Sequence, residues 1–323
     1  MQYTTLGRSG MKISRLVLGT MNFGDKTEEK EAFRIMDRAL ELGINFFDTA
    51  NNYCHSETEK IIGRWFAQGN GRREKVILGT KVYDYLGSEA EDGPNAERGL
   101  SAYKIRRHLE GSLKRLQTDH IELYQMHHID RNVSWDELWG ALEREVNSGK
   151  VDYIGSSNFA ARDLVTASYE AKQRHFLGLI SEQHRYSLLQ RLPELEVLPA
   201  AKEQGIGILV WGPLAGGLLS ENALHPVDSS RGKDNMSWMG EDLKKQLKQY
   251  ESLCRELGEK QSDVALAWLL QQETVTAPIM GIRTLEQLEN AVHALDIHLE
   301  QDFLTELDKI FPGYGPAPEY YAW

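Results

Sequence analysis

A (β/α)8 TIM barrel is the architecture this 323-residue sequence predicts, on two grounds. Short apolar runs, many of them β-branched, alternate eight times with longer segments of helical period, which is the signature of parallel βα units. The first run leads into Gly19-Thr20-Met21-Asn22-Phe23-Gly24 rather than a G-x-G-x-x-G turn, and no Walker-type loop occurs. The competing doubly wound sheet therefore lacks its phosphate-binding fingerprint. One barrel domain over residues 1–323 accounts for the length, since barrels of this class run to about 250 residues and more.

In chain order, Tyr3-Leu6 and Lys12-Ser14 flank Arg8-Ser9-Gly10, a hairpin placed to close one end of the barrel. Strands are expected at Leu16-Leu18, Asn45-Phe47, Val76-Thr80, Ile121-Met126, Val151-Gly155, Gly178-Glu182, Gly207-Val210 and Thr276-Ile279. Helices are expected between them at Thr27-Leu42, Glu57-Ala67, Ser101-Leu116, Trp135-Ser148, Ala161-Gln173, Pro193-Gln204, Val264-Gln271 and Leu285-Leu295. Thr27 and Ser134 are read as caps opening two of these, with Gly43 and Gly149 stopping them. Two polar insertions, near residues 84–99 and 220–240, read as loops, and Glu241-Leu257 and Asp302-Ile310 as additional helices.

Charge and composition exclude several classes. With 37 Lys+Arg against 48 Asp+Glu the formal charge is −11, which repels a phosphate backbone and argues against a nucleic-acid partner. The longest nearly uncharged stretch, Ile206 to Leu219, is broken by Gly212-Pro213 and is too short for a bilayer, so no membrane association is expected. The first thirty residues carry Arg8, Lys12 and Arg15 without an apolar core, which points away from a secretory leader and toward the cytoplasm. Cys54 and Cys254 form no Cys-x-x-Cys pair, so neither a disulfide scaffold nor a structural zinc site is expected.

Reactive groups in such barrels gather at the carboxyl ends of the strands. There the sequence places Asp48 with Tyr53, then Lys81, then His127, on three adjacent strands. A tyrosine can give a proton at neutral pH, and an ammonium nearby stabilises the phenolate left behind. A charge about 4 Å away is worth on the order of 4 kcal/mol gross, roughly three pKa units before desolvation is subtracted. Asp48 is expected to hold Lys81 charged, and a neutral His127 to donate to a substrate oxygen. His128 alternates to the other side of its strand. Ser157, Asn158 and Gln183 suit a carboxamide, Trp211 offers a stacking face, and the loop Gly212-Pro213-Leu214-Ala215-Gly216-Gly217 offers backbone N–H groups to a diphosphate. Gly281, Arg283 and a helix N-terminus meet after the eighth strand as an anion site.

These stretches resemble the aldo-keto reductase family nearly end to end. They are Leu16-Val17-Leu18-Gly19-Thr20, Asp48-Thr49-Ala50-Asn51-Asn52-Tyr53, Thr80-Lys81, Leu123-Tyr124-Gln125-Met126-His127, Gly155-Ser156-Ser157-Asn158-Phe159 and Trp211 to Gly217. The last is similar to the branch holding bacterial general reductases, aflatoxin aldehyde reductases and potassium-channel β-subunits. The resemblance implies metal-free hydride transfer between NADPH and a small-molecule aldehyde or ketone, with Tyr53 as general acid and Asp48, Lys81 and His127 completing the tetrad. It implies cofactor contacts from Gly19, Thr20, Met21, Asp48, Ser157, Asn158, Gln183, Trp211, Gly212, Pro213, Leu214, Ala215, Gly216, Arg231, Gly281, Arg283, Gln287 and Asn290. Arg283 beside a 2′-phosphate favours NADPH over NADH. An NADPH-binding regulatory subunit, related to the channel β-subunits, is the alternative, and a Schiff-base enzyme using Lys81 a third. Where many relatives carry Gly after the tyrosine this chain has Cys54, expected as a small buried thiol, and after the histidine it has His128-Ile129. Oligomeric state is left open.

Overall fold

The computed structural model describes residues 1–94, 97–225 and 239–322. An antiparallel hairpin, β1 (Tyr3–Thr5) and β2 (Lys12–Ser14), precedes eight parallel strands that close into a barrel. These are β3 (Val17–Gly19), β4 (Phe46–Asp48), β5 (Ile77–Val82), β6 (Ile121–Met126), β7 (Val151–Ser157), β8 (Leu179–Arg185), β9 (Gly207–Trp211) and β10 (Val275–Met280). Each pairs with the next, and β10 returns to β3. The helices around them include α1 (Glu29–Glu41), α2 (Glu57–Phe66), α3 (Glu89–Asp92), α4 (Ala102–Leu116), α5 (Trp135–Asn147), α6 (Ala161–Gln173) and α7 (Val197–Glu203). Then come α8 (Glu241–Leu257), α9 (Gln261–Gln271), α10 (Leu285–Val292), α11 (Gln301–Ile310) and the short α12 (Glu319–Ala322).

Two apolar cores follow from the period of two along each strand. Phe47, Tyr124 and Val210 face outward into the layer between strands and helices, while Phe46, Leu123 and Leu209 face inward. Leu6 and Ile13 of the hairpin join the inward cluster and plug the floor. Gly7 lies so close there that a Cβ would come 2.1 Å from the Ile180 carbonyl oxygen, with its φ at +55°, so only glycine fits. With the floor sealed, the other end is the open one. Two residues further along the inward face the residue type changes: Phe46 is followed by Asp48, Gly79 by Lys81, Leu123 by Gln125 and Leu209 by Trp211. Apolar floor and polar mouth are thus one alternating pattern read up the strands.

Several expectations are corrected. Thr27 does not cap α1. Glu28 stands at that position without a side-chain bond, because the Thr27 hydroxyl donates to the Arg283 carbonyl at 3.2 Å and ties the first loop to the last. Ser134 does cap α5, accepting from the Glu137 N–H. The helix expected at Pro193-Gln204 divides into a 3-10 turn, Leu192–Glu194, and α7. The first insertion is not all loop: α3 lies in it, capped by Ser88. Most of the second insertion, and Arg231 with it, lies outside the described residues. Among the described residues no helix is long and apolar enough to cross a membrane.

Candidate active site

Lys81 organises the mouth. Its side chain is wholly buried, and its Nζ donates to Asp48 Oδ2 at 2.7 Å, to the Thr49 carbonyl at 2.7 Å and to the Tyr53 hydroxyl at 3.1 Å. An ammonium has three hydrogens, and all three are placed. The phenol oxygen therefore accepts from Lys81, leaving its own proton to be given elsewhere. Asp48 Oδ1 accepts from the amides of Gln125 at 3.0 Å and Gln183 at 2.8 Å, so its carboxylate is satisfied from three strands. The register explains how the donors reach it. Asp48 stands opposite Gly79 and Lys81 opposite Gln125, and Gly79 leaves room because a Cβ there would lie 3.3 Å from the Gln125 amide nitrogen.

Burial sets the charges. It pulls the Lys81 pKa down, but Asp48 and Tyr53 together outweigh it, and the ammonium is held above its ordinary value. For Tyr53 the balance differs from the sequence expectation: burial pushes the phenol up more strongly than Lys81 pulls it down, so its proton is held more firmly than in water. His127 is driven down to about 3 by burial and by Lys81, so its ring is neutral at physiological pH. Its ring stands edge-on to Tyr53, centroids 6.0 Å apart. His128 is turned away and packs against Tyr83.

The loop carrying Tyr53 bends through three consecutive left-handed residues that are not glycine, Cys54, His55 and Ser56, at φ 46°, 53° and 70°. Such backbone costs on the order of 1 kcal/mol per residue and persists only where the surroundings hold it. Here the Ser56 hydroxyl donates back to the Asn51 carbonyl at 2.7 Å. The Asn51 amide meets His108 Nδ1 at 2.9 Å, and His108 Nε2 lies 3.3 Å from Asp92 in α3. Burial lowers the His108 pKa to about 4, so the ring is neutral, with Nδ1 accepting from Asn51 and Nε2 near Asp92 without a hydrogen bond to it. Cys54 is half-buried, not a buried filler, with its thiol 3.8 Å from the Met21 carbonyl.

Around the tetrad the expected cofactor residues form two groups. The Ser157 hydroxyl donates to the Gln183 carbonyl at 2.9 Å, and the Asn158 amide donates to the His127 carbonyl at 3.1 Å and to Ser157 Oγ at 2.9 Å. Trp211 Nε1 donates to Asn158 Oδ1 at 3.1 Å, which fixes the indole against the β7 end. Gln183 spends its amide donors on Asp48 and Gln125, leaving Oε1 as its acceptor. Beyond Trp211, Gly212 and the run Ala215-Gly216-Gly217 have φ of 66°, 49°, 70° and 96°, left-handed backbone in a tight glycine-rich turn. A Cβ on Gly216 would meet no described atom within 4 Å.

The second group joins the first and last loops. Thr20 is buried, its hydroxyl donating to the Asp48 carbonyl at 3.0 Å, while Met21 is exposed. Gly19 is required by packing, since a Cβ would lie 2.7 Å from Ile279 Cγ2. Asn22 donates to the carbonyls of Gly281 at 3.1 Å and Ile282 at 3.3 Å. Gln287 folds back so that its Oε1 accepts from the Arg283 N–H at 2.9 Å, and Asn290 lies half-buried further along α10.

Sequence reasoning missed five contributors. Gln125 was quoted without a role, although it lies two residues before His127 on the same face. Asp84 accepts from Asn52 at 2.8 Å, pairs with Arg98 at 3.1 Å and lies 3.8 Å from His127 Nδ1. His108 and Asp92 support the Tyr53 loop, and the Arg185 guanidinium carbon lies 5.6 Å from the Trp211 ring centroid.

The open end of the sealed barrel thus holds an ion-paired lysine that donates to a tyrosine hydroxyl. The sequence pattern of the aldo/keto reductase family matches residues 15–311. The oxidoreductase YrpG of Bacillus subtilis (strain 168) is 59% identical over 328 residues, covering 100% of both chains. The aldo-keto reductase AFTS1 of Alternaria alternata is 31% identical, covering 93% of this chain and 89% of its own. Protein tas of Escherichia coli (strain K12) is 29% identical, covering 98% and 100%. The chain belongs to the aldo/keto reductase family, oxidoreductases that reduce carbonyl groups with a nicotinamide cofactor.

Proposed function

We propose that this protein reduces an aldehyde or ketone to the alcohol with NADPH, using Tyr53 as the general acid. The observation that carries the reading is the set of three hydrogen bonds from Lys81. Because Tyr53 accepts from Lys81, its own proton is directed to a substrate oxygen, and the ammonium stabilises the phenolate as that proton leaves. The raised phenol pKa keeps the acid loaded at neutral pH. Neutral His127 gives a second N–H to the same oxygen. Lys81, with every ammonium hydrogen engaged, has no lone pair for Schiff-base chemistry.

The residues present fit a nicotinamide dinucleotide. Trp211 suits stacking, Ser157, Asn158 and Gln183 suit a carboxamide, and the glycine-rich left-handed loop after Trp211 suits a diphosphate. Gly281, Arg283, Gln287 and Asn290 suit the adenosine half, and the Arg283 cation supports the choice of NADPH. When bound, the dinucleotide supplies the hydride. The test is Tyr53→Phe: carbonyl reduction is expected to fall by about 10²-fold or more while NADPH binding stays within a few-fold of the parent. A variant that turns over at the parent rate refutes the role, and a parent that binds NADPH yet reduces none of a broad aldehyde and ketone panel favours the regulatory reading.

A further inference from the structure

We propose that Arg185 makes the site discriminate between the redox states of its cofactor, favouring the neutral reduced ring over the cationic oxidised one. The proposal rests on the stacking of the nicotinamide on Trp211 given above.

The placement follows from register. Gln183 points into the mouth, where it bonds Asp48, and Arg185 is two residues further along β8, hence on the same face. Arg185 pairs with Trp211 across β8 and β9, as Gln183 pairs with Leu209 one layer below. The guanidinium carbon stands over the indole, 5.6 Å from its centroid, and the stem runs beside Gly212, where an added Cβ would meet Arg185 Cγ at 3.9 Å. The indole cannot swing away freely, since its N–H is held by Asn158 at 3.1 Å. Among the described residues no carboxylate pairs with Arg185, so its charge is delivered to the ring uncompensated.

An indole attracts cations through the electron density of its faces. The oxidised nicotinamide ring carries a positive charge and the reduced ring does not. A guanidinium on Trp211 draws on the same electron density and repels a second cation stacked on that indole. The neutral ring meets neither penalty. Arg185 is exposed, so the effect is screened to a few-fold and weakens with salt. Its direction is fixed nonetheless: Arg185 weakens the spent cofactor relative to the fresh one, which favours exchange of NADP⁺ for NADPH at the site.

The experiment titrates the purified protein with NADPH and with NADP⁺, following tryptophan fluorescence or heat, for the parent, Arg185→Gln and Arg185→Lys. Arg185→Gln is expected to tighten NADP⁺ relative to NADPH by about three- to tenfold. Arg185→Lys is expected to keep most of the parent's ratio, and raising salt on the parent to move it toward that of Arg185→Gln. A ratio unchanged in Arg185→Gln overturns the proposal. Equal weakening of both forms also overturns it, since that marks Arg185 as a phosphate anchor blind to redox state. A parent that binds neither form overturns the cofactor reading and this proposal together.

Discussion

Replacing Asp48 by Asn tests the electrostatics of the mouth most directly. The amide oxygen of Asn can still accept from Gln125 and Gln183, the two neutral donors at 3.0 and 2.8 Å. What it cannot do is pair with Lys81, whose ammonium lies 2.7 Å from the carboxylate at a site with essentially no solvent exposure. Breaking one side of a buried ion pair costs about 3–5 kcal/mol, most of it from the charge left behind. The pH dependence has a definite sign. In the parent, Lys81 is held above its unfolded value, so its contribution is complete below about pH 10.4 and is lost only as pH rises through the higher folded value. In the variant burial is opposed by Tyr53 alone, without the carboxylate. Its folded pKa drops below the unfolded one, the unfolded chain binds the extra proton, and stability then rises with pH. Urea unfolding at pH 7 and pH 9.5 is the assay, with Asp48→Asn/Lys81→Met as the control that removes the stranded charge. The double variant is expected to be about 1–3 kcal/mol more stable than the single one at pH 7. A single variant losing under about 1 kcal/mol, or a double variant no more stable than it, refutes the reasoning.

Three further outcomes are expected. His108, neutral when folded with a pKa of about 4, binds a proton only on unfolding as pH falls below about 6.5, which removes about 1.4 kcal/mol per pH unit down to pH 4. His108→Gln, which can accept from Asn51 and donate to Asp92, should flatten that acid limb in urea midpoints at pH 4.5, 5.5 and 6.5, and parallel limbs would count against the assignment. Cys54→Gly should raise stability by about 0.5 kcal/mol, since relief of the left-handed strain at φ 46° exceeds the added chain entropy, as checked by thermal melting. A loss of more than 1 kcal/mol would show that the thiol packs, where the geometry says it does not. Gly155→Ala puts a Cβ 2.5 Å from Ser181 Oγ and 3.1 Å from Gln125 Cγ, and should cost about 1–3 kcal/mol. Because Gln125 is then pushed off Asp48, kcat should fall more than KM rises, and an unaffected kcat speaks against Gln125 as a support.

The barrel was legible because strands buried on both faces read as continuous apolar runs, whatever their neighbours. Their carboxyl ends were harder to place. β7 and β8 run on through Ser156-Ser157 and through Gln183-His184-Arg185, polar residues that hydropathy assigns to loops but that here stay in the ladder. The tetrad was visible because each member closes a strand or follows one. Gln125 was not, because its partner Asp48 lies 77 positions away and only the strand register brings them together. His108 lay hidden for a related reason: on α4 it reads as one more polar residue until Asn51 of the Tyr53 loop and Asp92 of α3 are seen around it. The sign for Tyr53 was misjudged because sequence shows which charges are near but not how much water is missing.

The chain of side chains from Asp92 through His108 to Asn51 links a short helix at the rim to the bend that carries the phenol. That helix and that bend form one mechanical unit. Changes in the rim between residues 86 and 92 are therefore felt at Tyr53 itself, because the bend they prop is the one that sets where its hydroxyl lies.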